Sequence, residues 1–349
     1  MRKLVVTKNE AGQKLLKLLA KYLNAAPQSF LHKMLRKKNI TLNGKKADGT
    51  ELLKETDEVC LFLSEDTIVS FQNVQKTGAC ADNGSVGAES KKGVGVLKEI
   101  SGVEIIYEDA DVLLLNKPVG VLSQKAEKDD ISLNEWVISY LLETGKLTRD
   151  AMQTFRPGVC NRLDRNTSGL ITAGKSLPGL QTLSAVLKER AVHKDYFCIV
   201  VGEVKKGSRL KGYLGKNEST NTVAVEKTRR SGDESYIETE YTPVVTNGQY
   251  TLLQVRLITG KTHQIRAHLA SVGHPLVGDG KYGNAAVNQK LRRQFGLKHQ
   301  LLHAAYFEFP ERMQALPQLA GKKFFAPVPE QFVQIAKGLG VSCGELKGL

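Results

Sequence analysis

Residues 156–174 read RPGVCNRLDRNTSGLITAG, and this stretch indicates a charged loop that leads into a core strand. Its apolar end, LITAG, is typical of a short buried strand. Asp164 lies before that strand, between Arg162 and Arg165, in a loop of the kind that often holds reactive side chains. The two cations favour the ionised form of the carboxylate. Two interpretations stay open here: a structural ion pair, or a carboxylate that attacks a carbon atom.

Segments on both sides of this stretch predict the rest of the fold. Strand-like runs of β-branched and aromatic residues occupy 103–123, 194–204, 236–246 and 250–258. Helical patterns occupy 132–145, 178–192 and 262–273, and the last should align Ile265, Leu269 and Val272 on one apolar face. Several strands with few helices between them predict an α+β domain, a largely antiparallel mixed β-sheet with flanking helices.

The N-terminal 70 residues predict a small α/β module of their own. Leucines at helical spacing indicate one helix near residues 12–23, and Pro27 is placed to open a second. Asn43-Gly44, between two short extended runs, predicts a β-hairpin. Four cations cluster at the end of the second helix: Lys33, Arg36, Lys37 and Lys38. They form either a solvated helix end or a surface that binds phosphates.

The charge balance favours a polyanionic partner. The formal net charge is +14, and residues 1–64 alone hold 13 Lys and Arg against 6 Asp and Glu, a surplus of +7. Such a surplus is typical of proteins that bind nucleic acid. Residues 71–102 are rich in Gly, Ala, Ser and Lys, so we expect a flexible linker between domains at 1–70 and 103–349.

Other features of the composition exclude several classes of protein. The five cysteines are scattered, which argues against a disulfide framework or a structural zinc site and suits a reducing cytoplasm. The start of the sequence has no apolar segment of a signal peptide, and no apolar run is long enough to span a membrane. We therefore expect a cytoplasmic protein without membrane contact, acting as a monomer.

A second polar stretch, TGKTHQIRAHLASVGHPLVGDGKYG at 259–283, holds further candidate residues. His263 and His268 are five residues apart and do not share a helix face as metal ligands four apart would. No second Asp or Glu is evident beside Asp164, so we predict no metal site. Tyr196, at the start of a strand, is either a plain strand aromatic or a flat surface for a nucleobase.

Four ordered motifs together resemble the RluA-type pseudouridine synthases. They are NKPVGVLS, RPGVCNRLDRNTSGL, KDYFCIVVGEV and TGKTHQIRAHLASVGHPLVGD. The helices, basic cluster and hairpin of residues 1–70 resemble an S4 RNA-binding domain, which is similar to the arrangement in members that modify large-subunit ribosomal RNA. Two positions depart from the family pattern: Asn161 replaces a common His, and Lys261 replaces a common Arg.

The resemblance implies roles for individual residues. Asp164 would be the catalytic aspartate, Tyr196 would stack on the target uracil and move a proton, and Arg266 would pair with Asp164. Arg162 would help to displace the flipped base. Lys117, Lys194 and His303 would support the core. The implied reaction isomerises uridine to pseudouridine and needs no cofactor.

The implied partner is RNA, in particular 23S ribosomal RNA. One alternative is the same reaction on transfer RNA, because the catalytic motifs do not separate the two substrates. A second alternative is an S4-type RNA-binding protein whose larger domain is inactive. The presence of Asp164, Tyr196 and Arg266 together argues against the second alternative.

Overall fold

The structure is a computed structural model that describes residues 1–72, 100–127, 129–217, 222–226, 228–229 and 234–342. The chain divides into two compact units. The first comprises Met1–Glu99, Trp136–Gly158 and Gly174–Gln181, and the second comprises Ile100–Glu135, Val159–Ala173 and Thr182–Leu349. Most of the expected linker, residues 73–99, lies outside the described residues.

The N-terminal part of the first unit is a four-stranded antiparallel sheet with helices. Its elements are β1 (Arg2–Val5), α1 (Leu15–Tyr22), α2 (Gln28–Arg36), β2 (Ile40–Leu42), β3 (Lys45–Lys46), β4 (Glu58–Leu61) and α3 (Glu65–Phe71). The strand order is β1-β4-β2-β3. Asn43 and Gly44 have φ angles of 51° and 72°, as the two positions of a tight hairpin turn between β2 and β3 require. Buried leucines of α1 and α2 pack against Ile40, Val59 and Leu61.

The elements that follow form a large mixed sheet with helices. They are β5 (Glu104–Glu108), β6 (Val112–Lys117), α4 (Leu133–Glu143), β7 (Gly158–Val159), β8 (Ser168–Gly174), α5 (Leu177–Lys188), β9 (His193–Val201), β10 (Ser208–Asn217), β11 (Thr222–Glu226), β12 (Ser235–Thr246), β13 (Tyr250–Leu257), α6 (Gln264–Ser271), α7 (Ala285–Phe295), β14 (Leu302–Glu308), β15 (Lys323–Phe325) and α8 (Glu330–Gly338). Short 3-10 turns lie at Ala151–Gln153 and Pro317–Leu319.

The large sheet has 11 strands, with the order β11-β10-β12-β13-β9-β14-β8-β6-β5, and β15 and β7 pair with β14 and β8. β14 and β8 pair in parallel, whereas β9 to β13 are all antiparallel to their neighbours, in the order β11-β10-β12-β13-β9. The predicted α+β class and the largely antiparallel mixed sheet are therefore confirmed. None of the helices that the structure describes is long and apolar enough to cross a bilayer.

The helix predicted at 262–273 differs from its expected apolar pattern. Ile265 and Leu269 are buried as expected, but Val272 follows the last residue of α6 and is 40% exposed. Gln264, Arg266 and His268 are buried beside them, so the inner face of α6 is largely polar. Buried polar groups need hydrogen-bond partners, and the partners of these side chains define the candidate site.

Candidate active site

Asp164 lies on the loop between β7 and β8, and backbone contacts fix this loop. The Thr167 N–H donates to the Asp164 carbonyl at 3.0 Å. The Ser123 hydroxyl forms hydrogen bonds with both backbone groups of Leu163: it donates to the carbonyl and accepts from the N–H, each at 2.9 Å. Asn161, a departure from the family pattern, accepts from the Thr172 N–H at 2.7 Å. The carboxylate therefore projects from a loop that is held against β8.

Arg266, on α6, connects Asp164 to a second carboxylate. Its Nη1 donates to Asp164 Oδ2 at 2.7 Å. Its Nε and Nη2 donate to the two oxygens of Asp279 at 2.7 and 2.9 Å, a bidentate arrangement. Hydrogen bonds to both carboxylates and their negative charges raise the pKa of Arg266 against the opposing effect of burial. Arg266 therefore stays charged and is oriented by Asp279 while it contacts Asp164.

Asp279 is a functional-site residue that the sequence reasoning missed, because it expected no second acid near Asp164. The Asp279 side chain is fully buried, and its Oδ1 also accepts from the backbone N–H groups of Lys281 and Tyr282 at 2.8 and 3.1 Å. These hydrogen bonds and Arg266 hold the pKa of Asp279 below its usual value despite burial. Arg266 links the Asp279 carboxylate to that of Asp164.

His263 completes the cluster from the start of α6. It adopts left-handed backbone angles, with φ at 57°, which is uncommon for a residue other than Gly. Its Nδ1 lies 3.0 Å from the Tyr282 hydroxyl, which also accepts from the Val223 N–H at 2.8 Å. Because the Tyr282 oxygen already accepts from Val223, its own hydrogen is available to donate to His263 Nδ1. In a neutral imidazole Nδ1 is then the acceptor, and the ring proton lies on Nε2.

The other ring nitrogen of His263, Nε2, faces the Asp164 carboxylate. His263 Nε2 lies 3.9 Å from Asp164 Oδ2, beyond hydrogen-bond distance. Burial lowers the pKa of His263, which favours the neutral form. The Tyr282 ring also lies under the guanidinium of Arg266, 5.3 Å from its carbon. The cluster thus places one cation and one neutral N–H donor around Asp164.

Tyr196 lies on β9 and is 6% exposed. Burial raises its pKa, and the negative charge of Asp164 raises it further, so the phenol keeps its proton at neutral pH. Lys117, at the end of β6, is completely buried, and its ammonium donates to the carbonyls of Pro118, Val121 and Arg165 at 2.8–3.1 Å. Burial lowers the pKa of Lys117 to about 7, whereas Asp164 raises it.

The arginines beside Asp164 in sequence are not the cations that pair with it. Arg162 and Arg165 are both exposed, and Arg165 lies 3.9 Å from Asp130. Among the described residues neither arginine forms an ion pair with Asp164 within 4.0 Å, so the expectation that they pair with the carboxylate is wrong: Arg266 approaches it from α6 instead. Arg162 remains positioned for contact with a ligand, since its side chain is free to meet solvent.

The remaining residues predicted from the sequence lie outside the cluster around Asp164 and Arg266. Lys33, Arg36, Lys37 and Lys38 are exposed at the end of α2 in the first unit. His303 is buried between the Ser168 hydroxyl at 2.9 Å and the Ala326 carbonyl at 3.1 Å, and burial lowers its pKa to about 4. Lys194 is half-buried on β9. Within the described ranges, no group of three His, Cys, Asp or Glu side chains is arranged to hold a metal ion.

Comparison with known proteins finds relatives that are similar across this site. The family described as RNA pseudouridylate synthase matches residues 111–271, the range that contains Asp164, Tyr196 and Arg266. The chain is 28% identical to ribosomal large subunit pseudouridine synthase C of Vibrio vulnificus over 343 residues, which cover 97% of this chain and 96% of that protein. It is 28% identical to ribosomal large subunit pseudouridine synthase D of Yersinia pestis over 253 residues, 70% of this chain and 73% of that protein.

A solved structure agrees with these matches at the level of the fold. Human RNA Pseudouridylate Synthase Domain Containing 4 has a TM-score of 0.56 and 19% identity, and the match covers 72% of this chain and 97% of the human chain. The sequence matches and the shared fold agree: the chain is similar to the RNA pseudouridylate synthases over residues 111–271, and its fold is that of a pseudouridylate synthase domain.

Proposed function

We propose that this enzyme isomerises uridines of 23S ribosomal RNA, and that Asp164 is its catalytic aspartate. The observation that carries the proposal is the Asp164–Arg266 pair at 2.7 Å, with Asp164 partly exposed at the edge of the core. The relatives named ribosomal large subunit pseudouridine synthase support the choice of RNA.

The reaction needs one reactive carboxylate and no external reagent. The bond between N1 of uracil and C1′ of ribose breaks, the base turns, and a bond forms between C5 and C1′. The proton on C5 leaves and N1 gains one, so atoms and electrons balance. Hydrolysis would need a second carboxylate to activate water. Asp279, the nearby acid, has both oxygens engaged by Arg266 and cannot serve in that way.

The protein groups around Asp164 have complementary tasks. Arg266 donates a 2.7 Å hydrogen bond to the carboxylate and orients it, so that it can attack or stabilise the reacting sugar or base. Tyr196 offers an aromatic face to the uracil and a protonated hydroxyl that can take part in proton movement. A uridine in folded RNA must first leave its stack at a cost of a few kcal/mol, and in this proposal Arg162 helps to displace or replace the flipped base.

RNA binding is shared with the N-terminal domain in this proposal. Residues 1–70 act as an S4-like module joined through the 71–102 linker to the catalytic domain at 103–349. The exposed cluster of α2 contacts phosphates. Each contact makes the slope of log K against log salt steeper by roughly 0.7–0.9. The enzyme acts as a monomer in the cytoplasm.

The test is tritium release from RNA that carries 5-tritiated uridine. We expect the full chain to release tritium from 23S RNA and not from a transfer RNA pool, and to elute as a monomer when its mass is measured. Release from transfer RNA alone would favour the alternative substrate. Binding of either RNA without release would identify a non-catalytic RNA-binding protein.

A matched pair of variants tests the N-terminal contribution. Lys33→Gln/Arg36→Gln/Lys37→Gln/Lys38→Gln should bind 23S RNA more weakly and with a flatter salt dependence, while its rate at saturating RNA stays near that of the wild type. A variant with the same charge change in exposed residues of the second unit, Lys188→Gln/Lys205→Gln/Lys206→Gln/Arg312→Gln, is the control. Equal losses in both variants would show that only total charge matters.

A further inference from the structure

α7 is an unusually basic helix that the site described above does not use. Its sequence, AAVNQKLRRQF, contains no Asp or Glu, and Lys298 follows it closely. Lys290, Arg292, Arg293 and Lys298 are all exposed. In the part of the chain that the structure describes, these four cations have no ion-pair partner within 4.0 Å. A local surplus of four positive charges is therefore left uncompensated.

The helix holds these cations in a fixed arrangement. Leu291 is completely buried and packs into the core together with Val287 and Phe295, so one face of α7 is committed to the interior. The Asn284 side chain caps the first turn by accepting from the Val287 N–H at 3.1 Å. Gly296 ends the helix with φ at 66°. The cations consequently project from a capped helix on a packed core.

Stabilisation of the helix explains only part of this charge. Arg292 and Arg293 lie in the last turn, where cations complement the negative end of the helix dipole. That effect is confined to the last turn and is modest at an exposed site. It accounts neither for Lys290 and Lys298 nor for the absence of any acidic residue along the helix.

A chain of hydrogen bonds connects α7 to the reactive carboxylate. Asn288 accepts from the Gly278 N–H and donates to the Asp279 carbonyl, each at 2.8 Å. Asp279 holds Arg266, and Arg266 contacts Asp164. Lys290, Arg292 and Arg293 follow Asn288 within five residues, about 7.5 Å along the helix axis. The position of the basic face is thus fixed relative to Asp164.

We propose that the exposed face of α7 binds backbone phosphates of the substrate RNA and so adds affinity at a place that is fixed relative to Asp164. This inference rests on the proposed function, because it takes the polyanion to be the RNA that is modified. It adds a second basic surface, distinct from the cluster at the end of α2, and this one is rigidly attached to the catalytic residues.

The test compares Lys290→Gln/Arg292→Gln/Arg293→Gln with Lys188→Gln/Lys206→Gln/Arg312→Gln in the full chain. The control variant removes the same charge from exposed positions on three other segments. Glutamine retains good helix propensity, so α7 should stay folded, which circular dichroism and thermal melting check. Binding to 23S RNA is titrated from 50 to 200 mM salt, and tritium release is followed at saturating RNA.

We expect the α7 variant to reduce the slope of log K against log salt by about 2.1 to 2.7, for three lost phosphate contacts at roughly 0.7–0.9 each. When salt rises from 50 to 200 mM, both proteins lose affinity for RNA. The factor by which affinity falls should be about 20- to 40-fold smaller for the α7 variant than for the wild type. Its rate at saturating RNA should stay within about twofold of wild type, because the substitutions leave the residues around Asp164 unchanged.

Equal slopes for the α7 variant and the wild type would overturn the inference, as would an equal loss of slope in the control. Absence of tritium release by the wild type on 23S RNA would instead refute the proposed function. The binding titrations do not depend on turnover, so the two failures are distinguishable.

Discussion

The change of Asp279 to Asn tests how the site holds Arg266. Asn has nearly the same shape but no charge, and only one of its two polar atoms can accept a hydrogen bond. In the native protein both oxygens of Asp279 accept from Arg266, at 2.7 and 2.9 Å, and Oδ1 also accepts from two backbone N–H groups. Asp279→Asn therefore loses at least one charge-assisted hydrogen bond and buries an amide against N–H donors.

The magnitude follows from these contacts. Breaking a buried ion pair costs about 3–5 kcal/mol, and a hydrogen bond to a charged group contributes about 1.5–3 kcal/mol. Arg266 keeps Asp164 as a partner, so we expect a loss of about 2–4 kcal/mol in the free energy of unfolding. Without Asp279 the guanidinium can pivot, and a displacement near 1 Å in a catalytic arrangement costs about 100-fold in rate.

The assays are urea unfolding and single-turnover tritium release, both run well below the melting temperature. We expect kcat to fall about 100-fold with little change in KM, because Asp279 is buried and does not reach RNA. Asp130→Asn, which neutralises a surface carboxylate next to Arg165, is the matched control and should change neither quantity much. A folded Asp279→Asn enzyme with the wild-type rate would show that Asp279 only stabilises the fold.

Three further predictions concern Tyr196 on β9, Gly169 on β8 and the buried imidazole of His303. Tyr196→Phe should keep KM within about twofold, because the aromatic ring that stacks on uracil remains, and should lower kcat at least 100-fold, because the protonated hydroxyl is lost. An unchanged single-turnover rate would exclude the hydroxyl from the chemistry. Gly169→Ala should cost at least about 3 kcal/mol in urea unfolding, since Gly169 has φ at 115° and an added Cβ would lie 2.2 Å from the Ala304 carbonyl oxygen; a wild-type midpoint would contradict this packing. Burial lowers the pKa of His303 to about 4 from 6.5, so the unfolded chain binds more protons and stability should fall as pH drops from 6.5 to 4, by up to about 3 kcal/mol. His303→Asn should flatten this dependence, and an equally steep one in the variant would assign it to other groups.

Local patterns predicted many elements of the fold. The Asn43-Gly44 turn was readable because positive φ angles at two successive positions strongly favour these residue types. The β9, β12 and β13 strands were readable from β-branched and aromatic runs. α7 was missed although its Asn284 cap and Gly296 end are ordinary sequence signals. β10 is different, because its two glycines and its lysines do not favour a strand, which forms through pairing with β11 and β12.

The candidate site was predictable only in part, for a physical reason. The types of its main residues were evident in three short motifs, but we assigned their partners by proximity in the sequence, whereas the folded backbone decides which side chains meet. Among the described residues neither Arg162 nor Arg165 forms an ion pair with Asp164, and the pairing cation comes from a helix 102 residues later. Asp279 ends the last of the four motifs, but a lone Asp between glycines is typical of a turn, so it was not interpreted as a partner of Arg266. Its role follows only from the packing of α6 against the loop that precedes α7.

The most direct measurement of the central claim is single-turnover pseudouridine formation by Asp164→Asn on 23S RNA. The substitution removes one partly exposed charge, so folding and RNA affinity should stay close to wild type. We expect no tritium release and no pseudouridine after many wild-type half-times, with Asp130→Asn fully active. Measurable pseudouridine from pure Asp164→Asn protein would contradict the assignment of Asp164 as the catalytic group.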